Sequence, residues 1–353
     1  MSEKKRISYI YIRVRRLSLT AAVLLAGITV LLVLHIGLGK TLLTSDEVLL
    51  ALFNRGGEEG YRHIVWNLRL PRALIAIATG MMLGTAGAIL QAIMRNPLVE
   101  PGLVGASSGA VLFAVLWTSF SSAVWMTAVP LPFIALAGGL GAVLLVFALN
   151  VRQQSNAARL ALIGMIVTAI LQSVTSLFLL HGQQGLSTIF LWTFGSLNGR
   201  GWSSFAALWP WAVTGLLLAM LYARRAELLQ LGDSTATGLG VAASRSRFIL
   251  LLIASGLTAA SVSVVGAIGF IGLIGPHIAA LLVGRRPVLW FPISALFSAF
   301  LLLASDWIGQ SLTLRVPFPG MENHLTSLPV GAVTTLLGAP FFLFLLRKSL
   351  MRK

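Results

Sequence analysis

At 353 residues, with 57% hydrophobic and only 10% charged side chains and a mean hydropathy of +0.90, the chain lies far from the roughly 25% charged composition of soluble domains. A water-soluble globule is excluded. Lysine and arginine outnumber aspartate and glutamate by 26 to 10 and set the pI near 11.6, a balance that fits topology and attraction to anionic lipid, with no need for nucleic acid. Cysteine is absent, which removes disulfides, zinc-thiolate sites, iron-sulfur clusters and thiol nucleophiles.

A bilayer core takes about 20 apolar residues per helix, so the length allows about ten spans in one membrane domain covering residues 1–353. The first follows a basic N-terminus, residues 1–16, that carries Lys4, Lys5, Arg6, Arg13, Arg15 and Arg16. The apolar run 17–38 exceeds the roughly 7 to 15 residues of a signal-peptide core and lacks a small-residue cleavage pattern, so it is read as a retained span. Further spans are predicted at 69–94, 100–117, 130–149, 160–180, 203–223, 247–265, 267–283, 288–310 and 329–346. Ten spans put both termini on one side. The connections on that side hold 19 lysines and arginines against 7 on the other, which places both termini in the cytoplasm.

Within the second span Gly80, Gly84 and Gly87 line one face, and Gly138, Gly139 and Gly141 mark the fourth; small residues let membrane helices approach closely. Between the spans, Gly39-Lys40-Thr41 resembles the tail of a phosphate-binding loop, but Leu34 stands where the loop requires glycine. The segment Arg69-Leu70-Pro71-Arg72 reads as the start of the second helix, with Pro71 in its first turn. Cations there oppose the helix dipole, and an external acidic partner would compensate them. Residues 96–105, Asn96-Pro97-Leu98-Val99-Glu100-Pro101-Gly102-Leu103-Val104-Gly105, form a tight turn on the inner side. The inner connection 224–247 holds Glu227, Leu231, Gly232, Asp233, Thr237, Gly238 and Gly240, and reads as a pair of short helices offering a docking surface.

Ion-coupled carriers bury acids or histidines in their spans. Here the acids fall in loops or at span ends, apart from Asp306 near the outer end of the ninth span. The five histidines are scattered with no His-Glu-x-x-His pattern, and Gly-x-Ser-x-Gly is missing. No catalytic residue and no metal site is expected. The many small hydroxyls are assigned to helix packing.

The ordered landmarks Arg69-Leu-Pro-Arg72, Gly87-Ala-Ile-Leu-Gln91, Asn96-Pro-Leu-Val-Glu-Pro-Gly102, Trp192-Thr-Phe-Gly-Ser-Leu197, Leu231-Gly-Asp233, Gly266-Ala-Ile-Gly-Phe-Ile-Gly272, Pro276-His277, Leu328-Pro-Val-Gly331 and Gly338-Ala-Pro340 resemble those of the permease subunits of ATP-binding-cassette importers for ferric siderophores, haem and cobalamin. The resemblance runs over nearly the whole chain. It implies an all-α membrane protein with the type II importer permease fold, multi-pass in the bacterial cytoplasmic (inner) membrane and in contact with its lipid.

It also implies a second permease subunit, identical or different, a pair of ATP-binding subunits beneath, and a periplasmic or lipid-anchored substrate-binding protein above. This chain would bind no cofactor; ATP and Mg would sit on the ATPases, and no nucleic acid is involved. By the same resemblance Arg69 and Arg72, with Arg315, meet the binding protein. Glu227, Leu231, Gly232, Asp233, Thr237, Gly238 and Gly240 couple to the ATPase, and Asn96, Leu98, Ala157 and Ala158 form the cytoplasmic gate. Relatives often carry an arginine four residues after the ninth-span aspartate and an acid before Leu-Pro-Val-Gly; here these are Gln310 and Ser327, and residues 312–327 look enlarged. The implied cargo is a ferric siderophore, with haem or cobalamin as alternatives. An ion-coupled secondary transporter is the rival class, opposed by the scarcity of buried acids.

Overall fold

The computed structural model describes residues 3–38, 45–53, 59–120, 129–150, 157–181, 192–315 and 325–350. Their helices are α1 (Glu3–Gly37), α2 (Ser45–Phe53), α3 (Glu59–His63), α4 (Leu70–Met94), α5 (Ala106–Ser119), α6 (Leu131–Asn150), α7 (Ala157–His181), α8 (Trp202–Gln230), α9 (Asp233–Gly238), α10 (Ala243–Val265), α11 (Ile271–Val283), α12 (Pro287–Ser311) and α13 (Val330–Leu350). Among the described residues eight helices are long and apolar enough to cross a membrane, while α5 and α11 are apolar but shorter. Each of the ten stretches expected from sequence overlaps one of these helices, but only eight have the length of a span, and the second belongs to a helical run that begins at Glu59. One addition is a small antiparallel ribbon, β1 (Thr313–Arg315) with β2 (Leu325–Ser327), built from the enlarged segment that an all-helical reading left unassigned.

Helix α4 lies at the centre, packed on α12, α8, α10 and α11. Its glycine face explains the closeness: a methyl group added at Gly80 or Gly84 would collide with the α12 backbone around residues 294–299, and at Gly87 with the Gly272 carbonyl. Gly138 and Gly139 likewise meet Gly109 and Ala106 on α5, but Gly141 faces open space. At about 100° per residue it lies on the far side of α6 from Gly139, so the packing role expected for it does not hold. The hydroxyls of Thr258, Ser261 and Ser294 donate to carbonyls four residues earlier at 2.7 to 2.8 Å, which satisfies them inside an apolar interior.

The 14 residues of α5 and 13 of α11 rise only about 20 Å at 1.5 Å per residue. Irregular backbone precedes them, at 95–105, interrupted by one 3-10 turn at Pro101–Val104, and at 266–270. Such backbone is tolerated at membrane depth only where protein covers it, and here the two breaks cover each other. The Glu100 carboxylate accepts the Phe270 N–H at 2.7 Å, just before α11 begins. Segment 192–196 supplies two further bonds: Ala267 N–H donates to the Trp192 carbonyl at 2.9 Å and Ser196 N–H to Val265 at 2.8 Å. Phe270 takes φ +66°, a left-handed conformation costing a non-glycine residue roughly 1–2 kcal/mol. Its ring occupies the space a side chain at Gly338 would need.

Candidate functional site

Two charged clusters stand out, one at each end of the bundle. At one end Asp306 of α12, 1% exposed, accepts a two-pronged bond from Arg72 of α4, Nε to Oδ2 and Nη2 to Oδ1, both 2.8 Å. His35 Nε2 donates to the same Oδ2 at 2.8 Å and Gln310 Nε2 at 2.9 Å. One carboxylate therefore ties α1, α4 and α12 together. Arg69, also buried, donates to the Ile36 and Gly37 carbonyls at 2.5 and 3.1 Å, the negative end of the α1 dipole.

This corrects the local reading of Arg69 and Arg72 as uncompensated cations at a helix start. Helix α3 runs on through a π-helical turn, Ile64–Arg69, straight into α4, so both arginines lie inside a continuous helical rod and find compensation within the chain. Arg315 lies on β1, with its side chain outside the described residues. Gln310 itself joins the cluster.

At the opposite end the 224–247 connection contains one short helix, α9, rather than the pair expected: α8 continues unbroken to Gln230 and absorbs the first half. Glu227 accepts from Arg286 Nε at 2.7 Å. Asp233 Oδ1 accepts from Arg95 Nη2 at 2.7 Å and from Arg247 Nη2 at 2.6 Å. The hydrogen bond from Arg247 is the largest influence holding the Asp233 carboxyl below its usual pKa, aided by both positive charges against a smaller opposing effect of burial. With the acids held in ion pairs, Leu231, Thr237, Gly238, Leu239 and Gly240 are left exposed, while Gly232 takes φ +113° at the turn into α9. The result is a small face, apolar at its two leucines, on a membrane domain's rim.

Beside it, α4 ends at Arg95, whose left-handed φ of 49° stands where glycine is usual. Asn96 Oδ1 then accepts the Leu98 N–H at 3.0 Å and fixes the turn. Ala157 and Ala158 open α7, their side chains outside the described residues, as is the Gly39-Lys40-Thr41 segment. A cleft of about 230 Å³ is lined by Glu100, Ser107, Ser108, Thr168, Gln172 and Thr258. Sequence reasoning named Asp233 and Asp306 but missed their partners His35, Arg95, Arg247 and Gln310. Only Gln310, four residues from Asp306 on one helix, carried a local cue. No group of three or more metal-ligating residues occurs among the described residues.

The FecCD transport family matches residues 13–348. The Fe(3+)-citrate import system permease protein YfmE of Bacillus subtilis (strain 168) is 35% identical over 95% of this chain and 97% of its own. The cobalamin import system permease protein BtuC of Halobacterium salinarum is 37% identical over 84% of this chain and 77% of its own. A solved metal-chelate type ABC transporter in an inward-facing conformation superposes with a TM-score of 0.80 at 26% identity, covering 93% of this chain and 98% of that one.

Proposed function

We propose, from the premise that this chain belongs to the FecCD transport family, that it passes a ferric siderophore or a related ferric chelate across the bacterial inner membrane with both termini in the cytoplasm. As a member of that family it is a transport component and not an enzyme. The carrying observation is the exposed face of Leu231, Thr237, Gly238 and Leu239, whose neighbouring acids are engaged inside the chain. Such a face suits a protein partner that delivers force.

In this reading a pair of separate ATPase subunits binds ATP and Mg, closes, and pushes on α9. The inner ends of the spans part, the gate at Asn96, Leu98, Ala157 and Ala158 opens, and the cargo leaves through weak, mostly apolar contacts. The chelator already fills the iron coordination sphere, so the permease need not ligate it. A second permease subunit completes the path. On the outer face a substrate-binding protein docks near Arg69, Arg72 and Arg315, and its acidic groups would share Arg72 with Asp306.

Iron citrate and cobalamin are the cargoes named for the two relatives; ferric chelate is preferred, with cobalamin or haem as the alternative. Uptake of a panel of radio-iron chelates, haem and cobalamin by the reconstituted complex is the test. ATP-dependent accumulation of one class is expected. Uptake without the ATPase, or uptake that collapses with the proton gradient at constant ATP, would refute the reading.

A further inference from the structure

We infer that Arg95, Asp233 and Arg247 form the joint that carries movement of α9 to the gate loop, and that Asp233 is a positioning residue rather than an ATPase contact. The inference rests on the proposed docking of an ATPase at α9 and deepens it.

Three separate pieces of chain meet at one oxygen atom. Asp233 is the first residue of α9. Arg95 is the last residue before Asn96-Pro97-Leu98 and sits in a left-handed conformation that aims the chain into that loop. Arg247 stands near the start of α10 and is 9% exposed at its side chain, so it belongs to the packed bundle. Both guanidinium groups donate to Asp233 Oδ1, at 2.7 and 2.6 Å.

Little else fastens α9. Of its six residues Ala236 alone is buried, and Gly232, at φ +113°, lets the chain pivot just ahead of it. A short helix seated by one alanine would slide under a push from below. The shared carboxylate instead makes a push on Leu231 or Leu239 a pull on Arg95, and so on Asn96 and Leu98 one to three residues further on. Glu227 and Arg286 form a second ion pair on the same rim, 2.7 Å apart and similarly exposed, but it ties the end of α8 to the turn between α11 and α12 and bypasses the gate loop. It is the natural control.

The test uses the complete transporter in liposomes, with ATPase retention, ATP turnover and uptake per ATP measured on each variant. Arg95→Gln and Arg247→Gln should keep the ATPase bound and turning over while uptake per ATP falls about fivefold or more, within the range of coupling between linked sites. Arg95→Lys, which keeps the charge, should recover most of the loss, and Arg286→Gln should leave the ratio unchanged. Uptake per ATP within about twofold of the parent in both glutamine variants would overturn the joint, as would an equal loss in Arg286→Gln. A separate arm, Thr237→Trp with Gly238→Trp on the exposed face, should strip the ATPase from the complex. Retention of the ATPase there refutes the docking reading itself, whatever the arginine variants show.

Discussion

Asp306→Asn tests most directly whether the Arg72–Asp306–His35 cluster holds the bundle together. The substitution keeps the shape but replaces an anion, 1% exposed, that receives four hydrogen bonds from Arg72, His35 and Gln310. An amide retains one acceptor oxygen. Its NH2 group points donors at donors, and the Arg72 guanidinium, 16% exposed, loses its counter-charge. Removing one partner of a buried pair costs about 3–5 kcal/mol. With an unfolding entropy scaled to 353 residues, that loss corresponds to a fall of about 4–7 °C in melting temperature. Tryptophan fluorescence during heating of the purified protein in detergent reads it directly.

The double variant Arg72→Met with Asp306→Leu removes both charges together and should recover most of the loss, because an apolar pair of similar volume is often neutral or better. An Asp306→Asn midpoint unchanged within about 1 °C would refute the reasoning. So would losses for Arg72→Met and Asp306→Leu that simply add in the double variant, since contacting residues should couple.

Gly87→Val forces a branched side chain into the Gly272 carbonyl and should cost about 1–3 kcal/mol, visible as a lower melting midpoint, whereas Gly141→Ala, facing open space, should leave it unchanged. Glu100→Ala removes the acceptor for the Phe270 N–H; a loss of about 1–3 kcal/mol is expected, with faster hydrogen exchange at that amide as the confirming measurement. For Asp233 the folded pKa lies below the ordinary carboxylate value, chiefly through Arg247. Its contribution is therefore complete above about pH 4 and is lost only as pH falls through the depressed value. Uptake per ATP should accordingly stay flat from about pH 5.5 to 8, and a decline within that window would assign the pH dependence to another group.

The apolar stretches were legible because a bilayer imposes a length on most helices that cross it, and composition alone reports it; that α5 and α11 are shorter was not. Gly80, Gly84 and Gly87 were legible as a packing face because helical spacing is a local property, and the same rule overreached at Gly141. The exposed character of this connection was also readable in outline, since 224–247 mixes glycine, threonine and leucine. What escaped was every contact between distant pieces of chain. His35 and Asp306 are 271 residues apart, Arg95 and Asp233 138, and Glu100 and Phe270 170. No periodicity spans such separations.

The sequence by itself determined that this chain is built of apolar, membrane-length helices and roughly where they lie, because hydrophobic length and local spacing are written residue by residue. Tertiary structure alone decided that Arg72 meets Asp306, that Arg69 closes the end of α1, and that Asp233 meets both Arg95 and Arg247. A buried charge takes whichever counter-charge the fold brings within about 3 Å, and that choice is made only once the helices have packed.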